Sequence, residues 1–238
     1  MSAYIISDLH LNKDKPLITL NFLRFIQKYL TYYDDLYIIG DFFDYWIGDD
    51  DNNKLHQKIA FSLKQLNLRN INCYFIHGNR DFLIGNFYAE QCGMKILPQE
   101  TLLNIYNKRI VILHGDTLCT NDIEYQKYRK KIYKPYLQNI FLKLPLFIRH
   151  KIAKKIKNKT KDANISKSKF IVDVNLQSVI NTFNKHKAQW IIHGHTHKPA
   201  IHKIYINNKI HYRGVLDAWC NKNSTFIINN KGIKLLFF

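Results

Sequence analysis

The chain contains few cysteines, and their spacing fits neither a metal knuckle nor a disulfide framework. Its 238 residues include four, which lie far apart without any C-x-x-C pair: Cys73, Cys92, Cys119 and Cys220. Structural zinc sites and small disulfide-linked folds need closely spaced cysteines. We therefore expect ordinary thiols in a reducing compartment.

The sequence shows no signal-peptide pattern and no long hydrophobic run. Its first residues, MSAYIISDLHL, have neither a basic region nor a long apolar stretch, so we do not expect them to form a signal peptide. A membrane-spanning helix needs roughly 18 or more consecutive apolar residues, and no such run occurs. Both absences predict a cytoplasmic protein.

Acidic residues are scarce. There are 18 Asp and Glu against 36 Lys and Arg, so the formal net charge at pH 7 is +18. Such an excess favours a phosphate-rich partner, meaning nucleic acid, an anionic membrane or a phosphorylated substrate. The chain is also rich in Lys, Asn and Ile, as an AT-rich genome would produce, so base composition is a competing explanation. The position of the charge is therefore more informative than its sum.

Apolar periodicity predicts strands that alternate with helices in the first half of the chain. A hairpin follows, with strands over 100–107 and 109–116 and a turn at Lys108, and beyond residue 199 the pattern is mostly antiparallel strand. These patterns predict an α/β layered sandwich with two sheets. The predicted elements of the first half are strands over 3–8, 34–41, 71–79 and 95–98 and helices over 17–31, 52–69 and 86–93.

Residues 120–170, called the basic segment below, interrupt this pattern. Between Lys127 and Lys169, fifteen Lys or Arg residues accompany a single acid, Asp162. Pro145 suits the start of a new helix. Two compatible interpretations are a helix on a membrane surface and a lid that packs its apolar side on the domain. The apolar positions recur at three- and four-residue steps: Phe141, Leu144, Ile148, Ile152 and Ile156.

Five predicted strands end in side chains that can bind a metal. In chain order the motifs are SDLHL, GDFFDYW, HGNRDF, LHGD and GHTH. Sites in layered α/β folds assemble at the carboxyl ends of strands. Each motif alone is weak, since Asp41 by itself also suits a helix cap, but five in succession favour a metal site. The candidate residues are Asp8, His10, Asp41, Asp44, Asn79, Asp81, His114, Asp116, His195 and His197.

The last motif lies in the stretch WIIHGHTHKPA, which places three histidines after an apolar run. A strand projects alternate side chains to one face, so His193, His195 and His197 can share a face at its end. Locally satisfied histidines are one interpretation. Metal ligation is the other, because neutral imidazole is the commonest metal-binding side chain.

Together the motifs D-x-H, G-D-x-x-D, G-N-[HR]-D, a later His and G-H-x-H resemble the calcineurin-like metallophosphoesterase superfamily. The resemblance implies a four-layer α/β/β/α sandwich and two divalent ions, most commonly Mn²⁺. It implies a single domain over residues 1–238, with residues 120–170 as a helical insert. One ion is then held by Asp8, His10, Asp41 and His197, and the other by Asp41, Asn79, His114 and His195.

Under this assignment Asp41 bridges the two ions, and Gly194 is expected to let the backbone turn between the ligands. His193 is left with a structural or supporting role. Asp44, Asp81 and Asp116 either orient the ligands and their loops or merely cap loops. The ligand set of His, carboxylate and amide groups suits Mn, Fe, Zn or Co better than Mg.

Arg80 favours one class of phosphoester. Many relatives have His at this position, which can protonate a leaving alkoxide, whereas arginine stays charged and cannot act as a general acid. It can bind phosphate oxygens in bidentate fashion. A leaving phosphate departs without such help, so Arg80 favours cleavage of a diphosphate bond over dephosphorylation of a protein.

With these features, SDLHL, GDFFDYWIGDD, HGNRDFL, GHTHKP and the basic segment resemble one branch, the UDP-2,3-diacylglucosamine diphosphatases of the lipid A pathway. The resemblance implies that metal-activated water attacks the α-phosphorus, giving UMP and 2,3-diacylglucosamine 1-phosphate. It implies a peripheral enzyme on the cytoplasmic face of the inner membrane, without a nucleic-acid partner. The implied catalytic residues are Asp41, Asn79, Arg80 and His114.

The same resemblance implies a set of substrate contacts. They are Asn79, Arg80, Asp122, Thr160, Asn164, Lys167 and His195, with an acyl-chain groove along Phe141, Leu144, Ile148 and Ile152. Two alternatives compete. A nucleotide or nucleic-acid phosphodiesterase would use the basic charge as a polyphosphate track, although the basic segment carries aliphatic rather than stacking aromatic residues. A binding module that had lost its metals would show gaps in the ligand set, and none occurs.

Overall fold

The structure, a computed structural model, describes residues 1–166 and 173–238, and for residues 158–166 the backbone without the side chains. Its strands are β1 (Ala3–Ile6), β2 (Asp35–Ile39), β3 (Asn72–Ile76), β4 (Met94–Ile96), β5 (Glu100–Ile105), β6 (Lys108–Leu113), β7 (Trp190–His193), β8 (Ala200–Ile206), β9 (Lys209–Val215), β10 (Ser224–Asn229) and β11 (Gly232–Phe237). Its α-helices are α1 (Pro16–Lys28), α2 (Lys54–Lys64), α3 (Asn86–Cys92), α4 (Ile123–Ile132), α5 (Pro135–Leu142), α6 (Leu146–Ser166) and α7 (Leu176–His186).

The first sheet has the strand order β11-β10-β1-β2-β3-β4, in which β1 to β4 run parallel. Both of its faces are buried, so its central strands are apolar throughout. In β2, Leu36 and Ile38 pack towards α1, α2 and α3, whereas Tyr37 and Ile39 face the second sheet. The strand period of two therefore assigns each side chain to one of two cores.

The second sheet has the order β5-β6-β7-β9-β8, with β6, β7 and β9 parallel. Ile110 and Ile192 face the first sheet, and Val111 and Ile191 pack with Phe183 of α7. The described residues thus form four layers: α1 to α3, the first sheet, the second sheet and α7. The predicted α/β/β/α sandwich is confirmed.

Two local predictions differ from the structure. The β5–β6 hairpin turns at Tyr106 and Asn107, whose φ angles are 49° and 60°. Positive φ at both central residues of a two-residue turn matches the twist of the flanking strands, so Lys108 begins β6 instead of forming the turn. The prediction also lacks helix α7, in which three residues are buried, Val179, Thr182 and Phe183. Its apolar residues do recur at three- and four-residue steps, so the sequence carries the signal that identifies this helix.

The basic segment contains α4, α5 and α6, and Pro145 immediately precedes α6 as predicted. The break between α5 and α6 divides the predicted apolar stripe between two helices. Arg149 fixes α6 to the loop after β2, since it donates to Ile47 O at 2.6 Å and pairs with Asp50. Among the described residues, no helix combines the length and the apolar character that crossing a bilayer requires.

Candidate metal centre and substrate cleft

The loops after β1, β2, β3, β6 and β7 meet at one end of the two facing sheets. Backbone hydrogen bonds align them: the Asp8 N–H donates to Gly40 O at 3.1 Å, and the His10 N–H donates to Asp41 O at 2.9 Å. The Gly194 N–H donates to the carbonyl of His114 at 2.9 Å. The parallel strands thus place the five predicted motifs side by side.

Most of the predicted ligands lie in strained backbone. A non-glycine residue in the left-handed region costs on the order of 1–3 kcal/mol and persists only where its surroundings impose it, commonly at functional sites. The concentration of left-handed, non-glycine residues at the strand ends indicates a metal-binding site. The residues concerned are Asp8 (φ 56°), His10 (φ 50°), Asp41 (φ 51°), His195 (φ 64°) and His197 (φ 52°).

Asp8 is the centre of the first group. It is fully buried, and its Oδ1 lies 3.1 Å from His197 Nε2 and 3.9 Å from His10 Nε2. Its Oδ2 accepts the backbone N–H of His195 at 2.9 Å. The ligand atoms of Asp8, His10 and His197 all lie within 4.8 Å of one another.

Asn79 is the centre of the second group. Its Oδ1 lies 2.9 Å from His114 Nε2 and 3.0 Å from His195 Nδ1. His114 Nδ1 lies 3.1 Å from the Ile39 carbonyl, an arrangement that turns Nε2 towards Asn79 and Asp41. Asp41 lies between the groups, with Oδ1 3.5 Å from His114 Nε2 and Oδ2 3.8 Å from His10 Nδ1.

The electrostatics of the cluster fit a divalent cation. Burial raises the pKa of Asp41 to about 7, and the charges of Asp81 and Asp8 add to the rise. Burial lowers the pKa of His10 and of His195 to about 4, so both are neutral at pH 7. Buried carboxylates need a compensating charge, and neutral imidazoles are ready to ligate. The residues present therefore fit the metal ions that such a donor set binds.

His114 behaves differently from the other histidines. Burial lowers its pKa, but the carboxylates of Asp41 and Asp8 outweigh this effect and raise the pKa to about 9. A proton on His114 then compensates part of the negative charge around it. A divalent cation can replace that proton, because metal binding to imidazole releases it.

Gly194 is required for close packing. A methyl group at this position would lie 2.0 Å from Asp8 Oδ2 and 2.2 Å from Ser7 Oγ. The left-handed backbone angles belong instead to His195 and His197. The prediction that Gly194 provides the turn between the ligands is therefore wrong.

Substituting Gly194 tests this packing. We expect Gly194→Ala to displace Asp8 and to weaken Mn²⁺ binding by roughly 10–100-fold, the range for residues that support metal ligands. Titration calorimetry with MnCl₂ measures the affinity. Thr196→Ala, two residues away, is the matched control. Equal affinity in the wild type and the Gly194 variant would show that the loop relaxes without cost.

Asp81, Asp116 and Asp44 each stabilise a neighbouring loop or helix. Asp81 is fully buried and accepts the backbone N–H groups of Phe42 at 2.7 Å and Gly78 at 2.9 Å. The other two bind the basic segment: Asp116 accepts from Arg129 Nε at 2.6 Å, and Asp44 pairs with Lys157.

His193 is buried between the second sheet and its outer layer. Its Nδ1 lies 2.8 Å from Gly194 O, and its Nε2 has no partner among the described residues. Burial, together with the charge of Arg213, lowers its pKa to about 3. The described contacts of this neutral imidazole are structural, in line with the role expected for it.

A cleft of about 380 Å³ opens beside the clustered ligands, between the β3 loop and the basic segment. Arg80 lies in this cleft, and its backbone N–H donates to Asp41 Oδ1 at 2.9 Å. The walls of the cleft are largely apolar. They comprise Tyr45, Trp46, Ile47, Asn79, Arg80, Phe82, Leu83, Tyr125, Tyr128, Lys131, Ile132, Leu137, Gln138, Phe141, Ile152, Ala153, Ile156 and Lys157.

The predicted acyl-chain groove agrees in part with this lining. Phe141 and Ile152 line the cleft, whereas Leu144 and Ile148 do not. The predicted stripe runs across Pro145, and the structure has a break there: α5 ends at Leu142, Leu144 lies between the helices, and Ile148 lies in the first turn of α6. The apolar positions therefore do not form one continuous face towards the cleft.

The predicted substrate contacts outside the metal loops are spread along the basic segment. Asp122 is the N-cap of α4, where its Oδ1 accepts the Tyr125 N–H at 3.0 Å. Thr160 and Asn164 belong to α6, but their side chains lie outside the described part, and Lys167 lies outside the described residues altogether.

Several cleft residues were not predicted. Tyr125, Tyr128 and Lys131 lie along one face of α4 and line the cleft. Their spacing of three residues is the signal that could have identified them, since positions three apart share a helix face. Lys157 gave no comparable signal, because it is one of many lysines in the basic segment.

Residues 1–199 match the family model described as calcineurin-like phosphoesterase. The chain belongs to this family. A protein of Proteus mirabilis named UDP-2,3-diacylglucosamine hydrolase is 54% identical over 238 residues, which is 100% of this chain and 99% of the relative. Proteins of the same name from Photorhabdus laumondii and Escherichia coli are 52% and 47% identical over the same shares of both chains.

Membership of the family, predicted from the five motifs, is therefore confirmed. A family of metallophosphoesterases implies divalent metal ions, and the grouped ligands of Asp8, His10, His197, Asp41 and His114 are where the described residues could hold them. The chain is accordingly a hydrolase of phosphoesters.

Proposed function

We propose that this protein hydrolyses the diphosphate bond of UDP-2,3-diacylglucosamine, giving UMP and 2,3-diacylglucosamine 1-phosphate in lipid A biosynthesis. The observation that carries the proposal is identity of 47–54% over the full length of relatives named UDP-2,3-diacylglucosamine hydrolase. The cleft supports it, because an apolar space next to metal ligands suits a lipid with a charged head.

The proposed metal centre holds two ions, most commonly Mn²⁺. Asp8, His10, Asp41 and His197 would hold one, and Asp41, Asn79, His114 and His195 would hold the other. The position of Asp41, within 3.8 Å of His10 and 3.5 Å of His114, supports a bridging role. When bound, such a pair lowers the pKa of water and neutralises charge on the phosphoryl oxygens.

Arg80 and Asn79 act on the phosphate in this proposal. The backbone of Arg80 is anchored to Asp41 at 2.9 Å, and its side chain lies in the cleft beside Asn79. The guanidinium therefore lies where it can neutralise the non-bridging oxygens as water attacks the α-phosphorus. The departing lipid phosphate needs no proton from the protein. Asp122, Thr160, Asn164, Lys167 and His195 complete the proposed substrate contacts.

The acyl chains are proposed to lie along the apolar part of the cleft. Placing an amide there should expel them, because an unpaired polar group in an apolar site costs roughly 1–3 kcal/mol. We expect Ile152→Asn to raise KM for the diacyl substrate by about 5–150-fold, the factor that this energy gives.

The matched control is Ile123→Asn, since Ile123 is in the same segment but 63% exposed and outside the cleft. KM from initial rates in mixed detergent micelles separates the two variants. An equal rise in both would mean that the substitutions disturb the segment as a whole, and no rise in either would remove the acyl chains from the cleft.

The enzyme is further proposed to act as a peripheral protein on the cytoplasmic face of the inner membrane. The basic segment supports this, since it exposes Tyr136, Ile140 and Phe147 among many lysines. Exposed apolar and cationic side chains bind anionic bilayers together. Vesicles that contain phosphatidylglycerol should sediment the protein, and phosphatidylcholine vesicles should not. Equal sedimentation by both, or by neither, would contradict this part of the proposal.

Product analysis tests the proposed reaction. Purified protein with MnCl₂ should release UMP from UDP-2,3-diacylglucosamine, and excess EDTA should stop the release. Cyclic nucleotides and single-stranded DNA, the substrates of the competing phosphodiesterase interpretation, should remain intact. Rapid cleavage of those compounds without UMP release would replace the proposal.

A further inference from the structure

A buried polar network joins helix α4 to the loops that carry two predicted metal ligands. Arg129 Nε donates to Asp116 Oδ2 at 2.6 Å, and Arg129 Nη2 donates to Gln99 Oε1 at 2.7 Å. Tyr125 OH donates to the same Asp116 oxygen at 2.7 Å. Asp116 lies two residues after His114, so one end of the network is the His114 loop.

The network continues to the loop of Asn79. The Arg129 guanidinium lies 4.3 Å from the centre of the Tyr133 ring, and Tyr133 OH donates to Gly78 O at 3.1 Å. Gly78 directly precedes Asn79. A single guanidinium on α4 is therefore connected to both the His114 loop and the Asn79 loop.

The desolvation cost of the Arg129–Asp116 pair indicates that the pair positions α4 and its neighbouring loops more than it stabilises the fold. The side chains of Arg129 and Asp116 are 13% and 3% exposed, so both charges are largely removed from water. A buried ion pair often adds little net stability, because desolvation offsets the attraction. What the pair does fix is geometry, since arginine presents several donors in a rigid plane.

We propose that Arg129 is a positioning residue that sets the distance between the cleft wall formed by α4 and the ligands His114 and Asn79. This inference rests on the proposed function: α4 contributes Tyr125, Tyr128 and Lys131 to the cleft. Correct placement of this wall holds the lipid part of the substrate while its diphosphate lies at the metal centre. Arg129 itself is absent from the lining of the cleft.

The test compares Arg129→Lys with Lys130→Gln, an exposed neighbour on the same helix. Lysine keeps the charge beside Asp116 but cannot also reach Gln99 and cover the Tyr133 ring. A double variant, Asp116→Asn with Arg129→Gln, removes both charges in case an imperfect pair prevents folding. Each protein is assayed with the diacyl substrate and with bis(4-nitrophenyl) phosphate, a small diester that needs no lipid-binding wall.

We expect Arg129→Lys to lower kcat/KM for the diacyl substrate by about 10²-fold, as a misplacement of about 1 Å can do. Hydrolysis of the small diester should change by no more than about twofold, and Lys130→Gln should resemble the wild type on both substrates. Equal losses on both substrates would overturn the proposal, because Arg129 would then support the metal centre itself. Unchanged kinetics would also overturn it.

Amide hydrogen exchange tests the role of Arg129 without depending on which lipid the enzyme cleaves. Arg129→Lys should speed amide exchange in α4 and leave the β6 and β3 loops protected, whatever lipid the enzyme uses. Unaltered exchange in α4 would contradict the proposal. Failure of the proposed function would be seen separately, as a wild type that does not cleave UDP-2,3-diacylglucosamine.

Discussion

Replacing Asp41 with alanine should lower hydrolysis of UDP-2,3-diacylglucosamine by at least about 10³-fold, because metal ions supply several kcal/mol of charge stabilisation. Asp41 is 3% exposed and lies 3.8 Å from His10 and 3.5 Å from His114. Its loss removes the group proposed to hold both ions. His114→Ala should have a similar effect through the Asn79 group.

The fold should survive this change, and thermal unfolding can show that it does. Mn²⁺ at about 100 times its dissociation constant stabilises the wild type by about 2.7 kcal/mol. For a domain of this size that is a rise in Tm of roughly 5–10 °C. Asp41→Ala should still unfold cooperatively, but Mn²⁺ should no longer raise its Tm. The control, Asp14→Ala, changes an exposed residue and should keep both the activity and the rise in Tm. An Asp41 variant that regains full turnover at high Mn²⁺ would contradict the dinuclear assignment.

Replacing Arg80 with alanine should lower kcat by about 10²–10³-fold, the loss seen when one group that stabilises transition-state charge is removed. The effect should fall on kcat because the charge on the phosphoryl oxygens develops during the attack by water. Arg80→Lys should recover part of the rate, since lysine restores the charge without the bidentate geometry.

The control for Arg80 is Arg24→Ala, which removes an exposed arginine from α1 and should leave kcat unchanged. Steady-state kinetics over a range of substrate concentrations separate kcat from KM. A rise in KM with unchanged kcat would show that Arg80 only binds the substrate.

The metal-binding end of the fold could be predicted because its signals are local. Five of the described strands, β1, β2, β3, β6 and β7, end where an apolar run meets Asp, Asn or His, and parallel strands bring such ends together. Asp8, Asp41 and Asn79 were found in this way without any knowledge of long-range contacts. The sequence does not predict the left-handed backbone at Asp8 and Asp41, because no sequence pattern identifies a non-glycine residue with positive φ.

The cleft was harder to predict because its contacts are distant in sequence. Lys157 pairs with Asp44 across 113 positions, and one basic residue among many gives no sign of such a partner. Leu144 and Ile148 followed the right period, but Leu144 lies between two helices and Ile148 in the first turn of α6, and neither lines the cleft. The role of Gly194 depends on Asp8, which is far away in the chain, so a local interpretation assigned it a turn instead of close packing.

The most direct test of the account is phosphorus NMR of the reaction in oxygen-18 water. Protein with Mn²⁺ should give UMP with oxygen-18 on its phosphate beside unlabelled 2,3-diacylglucosamine 1-phosphate, because water attacks the α-phosphorus. Oxygen-18 in the lipid phosphate would place the attack on the other phosphorus. A failure to form UMP, with cleavage of a cyclic nucleotide instead, would contradict the proposed substrate.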